Sequence, residues 1–149
     1  PTLAGIKTGS LFSCPYETEQ SLLEDVRRMN GLLVPKGLCL LPLRYENSRV
    51  LLYLYRPRAL QKDLSDAQAA RILKDAGYHL CGLFLSYPPE DVQGFIDNKA
   101  RDFKCAGLWK VYGDEARAQA LFAQYRECTR QYCALYQAGS PLSQLAVAG

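Results

Sequence analysis

The chain has 149 residues, of which 48% are hydrophobic and 22% charged, so it can bury a core of its own and is not a disordered chain. Eighteen Lys and Arg against 15 Asp and Glu leave a net charge of +3, too small an excess to drive nucleic-acid binding. The longest apolar run, Val50–Tyr55, falls far short of the ~20 residues of a membrane helix, which excludes a membrane span. One domain over 1–149, located in the cytoplasm and without nucleic-acid or membrane partners, is the expectation.

Residues 1–16 read as an irregular lead-in, punctuated by Gly5, Gly9, Ser10 and Pro15. Thr18 caps a helix predicted to run to Asn30, with Leu22, Leu23, Val26 and Met29 on its apolar side and Asn30-Gly31 as its stop. Leu38–Tyr45 and Arg49–Arg56 are predicted strands, joined across Glu46-Asn47-Ser48 as an antiparallel hairpin that Pro57 ends. A short helix over about 65–75 follows, with Ala69, Ile72 and Leu73 apolar and Gly77 closing it.

Leu80–Tyr87 reads as a continuous apolar strand, and Pro88-Pro89-Glu90-Asp91 opens a helix whose buried stripe is Val92, Phe95 and Ile96. After a polar connector over 99–104, Gly107–Tyr112 is the fourth predicted strand. Asp114 then caps a last helix reaching Tyr136, with Leu121, Tyr125, Cys128, Tyr132 and Leu135 on one face. Gly139-Ser140-Pro141 stops it and leaves a short tail. The order α-β-β-α-β-α-β-α implies an α/β (α+β) fold. Its predicted form is a mixed four-stranded sheet, made of an antiparallel hairpin and a right-handed β-α-β unit, covered by helices.

Six cysteines stand at positions 14, 39, 81, 105, 128 and 133, with no C-x-x-C spacing. Cys39 and Cys81 lie in apolar runs, where a free thiol packs as a small hydrophobe. Reduced core residues in the cytosol are the leading reading, and a metal or cluster site assembled from distant cysteines and His79 is the alternative. Pro1 is not a natural start, so a processed, trimmed or incompletely represented chain is expected.

Four stretches carry a resemblance. They are Pro1–Gly9; Leu41–Tyr45 with Leu52–Pro57; Gly82–Val92; and Trp109–Asp114. Together they resemble a bacterial domain-of-unknown-function family, number thirty-seven ninety-three, found mainly in Firmicutes, over nearly the whole chain. The resemblance implies no activity and only a loose association with flavodoxin and iron-acquisition genes. Family members carry His-Cys-Ala ahead of the Pro1 segment and a further helical stretch between the positions of Tyr78 and Leu80. Both are missing from this sequence. That predicts ordered pieces joined across a gap near 78–80, with the family's most reactive-looking thiol outside the sequence.

The first candidate site is the pair of strand-to-helix junctions 86–91 and 112–115, because ligands of open α/β sheets bind beyond the strand ends, near free helix N–H groups. Tyr87 and Tyr112 would flank it, with Lys110 or Lys99 reaching in. Glu90, Asp91, Asp114 and Glu115 can equally be ordinary caps. The second is Gly5–Ser10, where Lys7 and Thr8 can contact an anion although the phosphate-loop spacing is absent. The third is Cys105 as a nucleophile, its thiolate favoured by Lys104. Cys128 and Cys133 are five positions apart on one helix and point away from each other. No hydrolase triad, zinc motif or dinucleotide fingerprint occurs, and His79 reads as an exposed turn residue.

The expected function is a binding module for a small anionic or planar ligand or cofactor of unknown identity, linked through the family to iron, heme or flavodoxin metabolism. Ligand binding falls to Lys7, Thr8, Tyr87, Glu90, Lys110, Tyr112 and Asp114, and no metal ligands are assigned. The alternatives are a thiol-dependent enzyme using Cys105 and an interaction partner of a redox carrier protein.

Overall fold

Thr18 is extended and its hydroxyl accepts from Ser21 N at 3.1 Å, which starts α1 (Glu19–Leu33) where the sequence places it. The helix does not stop at Asn30-Gly31. The Asn30 side chain instead pairs with the main chain of Leu40, donating to its oxygen and accepting from its nitrogen at 2.9 and 2.8 Å. A 3-10 turn over Val34–Lys36 extends the helix, and Gly37, at φ +74°, ends it. Leu22, Val26 and Leu33 form the buried stripe, whereas Leu23 is exposed. The computed structural model describes residues 1–75 and 81–149.

The hairpin forms as expected. Strands β2 (Cys39–Glu46) and β3 (Arg49–Tyr55) pair antiparallel around Asn47 and Ser48, both left-handed at φ +49° and +57°. A register shift between Pro42 and Arg44 takes up the proline on this edge strand. The lead-in, however, is not irregular throughout. Gly9–Pro15 is strand β1, antiparallel to β3 from Gly9↔Tyr55 to Pro15↔Arg49, which gives the order β1-β3-β2. One face of this sheet packs on α1, burying Leu38, Leu40, Val50 and Leu52 with Leu22, Val26 and Leu33.

Pro57 ends the hairpin and also begins a helix that the sequence reading lacks, α2 (Pro57–Leu64). Asp66 then caps α3 (Ala67–Asp75), its carboxylate accepting from Gln68 N and Ala69 N at 2.9 and 3.0 Å. Gly77 and His79 lie outside the described residues. The apolar run expected as a strand over Leu80–Tyr87 begins outside them too, and its described part is a turn of helix, α4 (Cys81–Phe84). An apolar run of this length fits a buried helix turn as well as a strand. Leu83 settles the matter by packing against Ala69 and Ile72 of α3 and Val92 of α5 (Pro89–Asp97).

Gly107–Tyr112 contributes only the two-residue strand β5 (Lys110–Val111), which pairs antiparallel with β4 (Cys105–Ala106) as a separate sheet. The fold is thus mixed α/β as expected. The single four-stranded sheet and its parallel β-α-β unit give way to a three-stranded and a two-stranded antiparallel sheet. Asp114 accepts from Arg117 N at 3.0 Å and starts α6 (Glu115–Gln137). Its first half buries Ala118, Phe122 and Tyr125, with Phe122 packed edge-on to Trp109. The expected stripe fades beyond Tyr125, where Cys128 and Tyr132 are half-buried and Leu135 exposed. The tail forms α7 (Leu142–Leu145), which tucks Leu145 and Ala146 inward.

None of the six free thiols is fully buried, and Cys81 and Cys133 are exposed, so the cysteines do not form the core. Among the described residues, no group of three or more His, Cys, Asp or Glu side chains could hold a metal ion. Among the same residues, no helix is long and apolar enough to cross a membrane.

Candidate functional site

The N-terminal loop is short, yet it is pinned at both ends. The buried Arg56 guanidinium donates to Thr2 O and Leu3 O, both at 2.9 Å, and so holds the start of the loop. Gly5, at φ +77°, closes a turn back to Thr2 O. At the other end Thr8 is buried and engaged through every polar group it has. Its nitrogen donates to Ser86 Oγ at 2.8 Å, its hydroxyl to Asp63 Oδ2 at 2.5 Å, and its oxygen accepts from Arg56 N at 2.9 Å. Ser86 is left-handed at φ +62°, a conformation that costs a non-glycine residue about 1 kcal/mol. The bond from Thr8 offsets that cost and ties the loop to the α4–α5 turn.

Lys7 lies between these anchors and lines a cavity of about 400 Å³. Its walls are the loop, Ala59 and Asp63 of α2, the 86–89 turn, and Arg117, Leu121 and Tyr125 of α6. Lys7 and Thr8, from the second expected site, thus line the same cavity as Tyr87, from the first. Asp63, Arg117 and Tyr125 complete it. Asp63 lies between the predicted hairpin and the predicted 65–75 helix, where the residues predict no element. Tyr125 was read as part of a buried face, and Arg117 carried no local signal.

The charges around the cavity differ in how far they are spent. Asp63 accepts from Thr8 and Asp66 caps α3. Among the described residues Arg117 holds only a long ion pair to Glu90, at 3.6 Å. Lys7 is half-buried, and its ammonium sits 5.9 Å from the centre of the Tyr125 ring. Among the described residues no carboxylate pairs with it. Burial pushes the Lys7 amine below its ordinary pKa. Burial also raises the phenols of Tyr125 and Tyr87, and Asp63 adds to the effect at Tyr125.

Tyr87 is a wall shared with a second, more apolar cavity of about 420 Å³, lined also by Leu85, Val92, Phe95, Trp109 and Lys110. Its ring stacks on Trp109 at 4.9 Å. Lys110 reaches this second cavity rather than the first, with its amine on Ala100 O at 2.7 Å and over the Phe103 ring. Glu90, Tyr112 and Asp114 line neither cavity. Glu90 pairs with Arg117, Asp114 is a cap, and Tyr112 packs on Gly94. The Tyr112 hydroxyl is buried without a hydrogen-bond partner among the described residues.

Asp91 does more than oppose a helix dipole. It is 3% exposed, and its carboxylate accepts from Trp109 Nε1, Tyr112 N and Gly113 N, each at 2.7 Å. It therefore fastens the Pro-Pro-Glu-Asp segment to the Trp-Lys-Val-Tyr-Gly segment. Gly113 permits the approach, since a Cβ there would stand 2.5 Å from Glu90 Cγ. Cys105 accepts from Gln119 Nε2 at 3.4 Å, and partial burial and the Glu115 carboxylate push its thiol up. Lys104, the expected source of a thiolate, donates to Gly113 O instead.

The first cavity can therefore neutralise an anionic group with Lys7 and Arg117 and lay a flat or apolar body against Tyr87, Leu121 and Tyr125. No curated protein and no solved structure matches this chain. The sequence profile of a family described as a protein of unknown function, DUF3793, matches residues 1–81 and 79–146, and the chain belongs to that family.

Proposed function

We propose that this protein is a binding module for a small ligand that joins an anionic group to a planar body. The observation that carries the reading is the cavity behind the N-terminal loop, where the Lys7 ammonium is drawn inward without a carboxylate partner among the described residues. An uncompensated, half-buried cation is costly unless something of opposite charge completes it. The neighbouring acids are already engaged by Thr8 and by the start of α3. Tyr87 and Tyr125 supply aromatic walls. A flavin, a heme or an iron-linked compound belongs to this chemical class, and the cytoplasm suits such a ligand.

Thermal unfolding with flavin mononucleotide, hemin and inorganic phosphate, beside native and denaturing mass spectra of the protein as isolated, tests the reading. A saturable rise in melting temperature with one of these probes, lost in Lys7→Ala, or extra mass that leaves on denaturation, supports it. A bare chain mass together with flat responses to all three overturns it.

A further inference from the structure

We infer that Lys7 is a nucleophilic amine, poised to form an imine with a small aldehyde or ketone that carries an anionic group. The inference rests on the binding reading above and adds a covalent step to it.

Lys7 differs from the other lysines described here. Lys36, Lys104 and Lys110 each spend their ammonium on a main-chain carbonyl, of Ala146, Gly113 and Ala100. Lys62, Lys74 and Lys99 are exposed to water. Lys110 is also half-buried against a cavity, but its ammonium is spent on Ala100 O, whereas among the described residues the Lys7 ammonium has no hydrogen-bond or ion-pair partner and faces the Tyr125 ring. The centre of that ring lies 5.9 Å from the ammonium, and burial lowers the amine's pKa. The neutral amine is the form that attacks a carbonyl, and burial favours that form.

The chemistry balances without oxidant or reductant. The Lys7 nitrogen lone pair attacks the carbonyl carbon, and the carbonyl oxygen takes up a proton to give a carbinolamine. Nitrogen then loses a proton and the hydroxyl leaves as water, so that amine and carbonyl become imine and water. Solvent entering the cavity can carry these protons, and Arg117 on its wall can hold the anionic group.

Pyridoxal 5′-phosphate is a suitable probe because it joins an aldehyde, a phosphate and a flat ring. The intact protein is incubated with it near neutral pH, reduced with borohydride, digested and mapped by mass spectrometry. Pyridoxal, which lacks the phosphate, is run in parallel. The expected result is one adduct per chain, at Lys7, forming at least tenfold faster than at any other lysine and more slowly with pyridoxal. Lys7→Arg should lose that adduct. Saturable pyridoxal phosphate binding with no preference for Lys7 on reduction would overturn the inference and leave the binding reading standing. Neither binding nor a Lys7 adduct would overturn both. Because the map is read on the unmodified sequence, it does not depend on whether a variant folds.

Discussion

Two buried charges hold this molecule together, one in each half, and they are satisfied in opposite ways. Arg56, at the end of β3, is 6% exposed and donates to the main-chain oxygens of Thr2, Leu3, Lys36 and Val147. Asp91, in the first turn of α5, accepts from one indole and two main-chain N–H groups. Among the described residues neither is paired with an opposite charge. Arg56 gathers the two chain ends and the turn after α1 around the sheet. Asp91 binds the helical half to its hairpin. Oriented peptide dipoles can replace a counter-ion inside a protein when the donors or acceptors are already fixed in place. A guanidinium suits scattered carbonyls because it carries five donors in a planar fork, and a carboxylate suits converging N–H groups because it offers two oxygens.

Breaking the Arg56 cluster should have the largest effect. Arg56→Met keeps the bulk of the side chain but removes a donor from four carbonyls, of which Thr2 O and Leu3 O keep Gly5 N and Val147 N. The expected loss is about 3 kcal/mol or more, read from urea unfolding. It should be accompanied by fraying of both chain ends in hydrogen exchange. A loss under about 1 kcal/mol would mean that the carbonyls turn readily to water and that the clamp is not structural.

Asp91→Asn should rank second. Asparagine keeps the shape but has one acceptor oxygen, whereas both Asp91 oxygens are in use, so its amide must face an N–H donor. A loss of about 2 kcal/mol is expected, close to that of Asp91→Ala. Trp109 is the only tryptophan, so its emission reports directly on the broken bond. An unchanged emission spectrum in Asp91→Asn would contradict the latch.

An exposed ion pair sharpens the contrast and should have the smallest effect. Glu127 accepts from Arg130 at 2.6 and 2.8 Å and from Gln131 at 2.8 Å, and these bonds hold its carboxyl down at about 2, from 4.5. Because the folded value is depressed, the contribution is present above pH 4.5 and is lost as pH falls toward 2. Glu127 and Arg130 stand in water on the open half of α6, so salt should screen the pair. Carboxyl titration by NMR should show a lowered value that rises with added salt, while Glu127→Gln should move the neutral-pH urea midpoint much less than Asp91→Asn does. A midpoint shift as large as that of Asp91→Asn would remove the distinction between charges held by dipoles and charges held by each other.

The same contrast explains which parts of the molecule were readable from its residues. The Thr18 and Asp114 caps, the Asn47-Ser48 turn and the hairpin appear where expected, because each rests on partners a few residues away. Asn30-Gly31 misled because the Asn30 amide found its partner on Leu40, across the fold, and the helix could continue. Gly9–Pro15 looked irregular because Gly, Ser and Pro dominate it. It became a strand because the free edge of β3 was there to pair with it. At the candidate site, Lys7, Thr8 and Tyr87 were legible as residue types, but their meeting with Asp63, Arg117 and Tyr125 was not. That meeting depends on Thr8 reaching Asp63 and Ser86, 55 and 78 positions away.

Composition, caps and turn chemistry were enough to establish a mixed α/β chain with its hairpin and the starts of α1, α5 and α6. They act over a turn or two of backbone and need no knowledge of the rest. Whether an apolar run became strand or helix, whether Asp91 stayed a cap or became a latch, and which cavity each lysine entered were decided by the tertiary structure. Those outcomes turn on which surfaces and which unpaired peptide groups remain to be covered once the chain has closed on itself, and no local stretch of sequence contains that information.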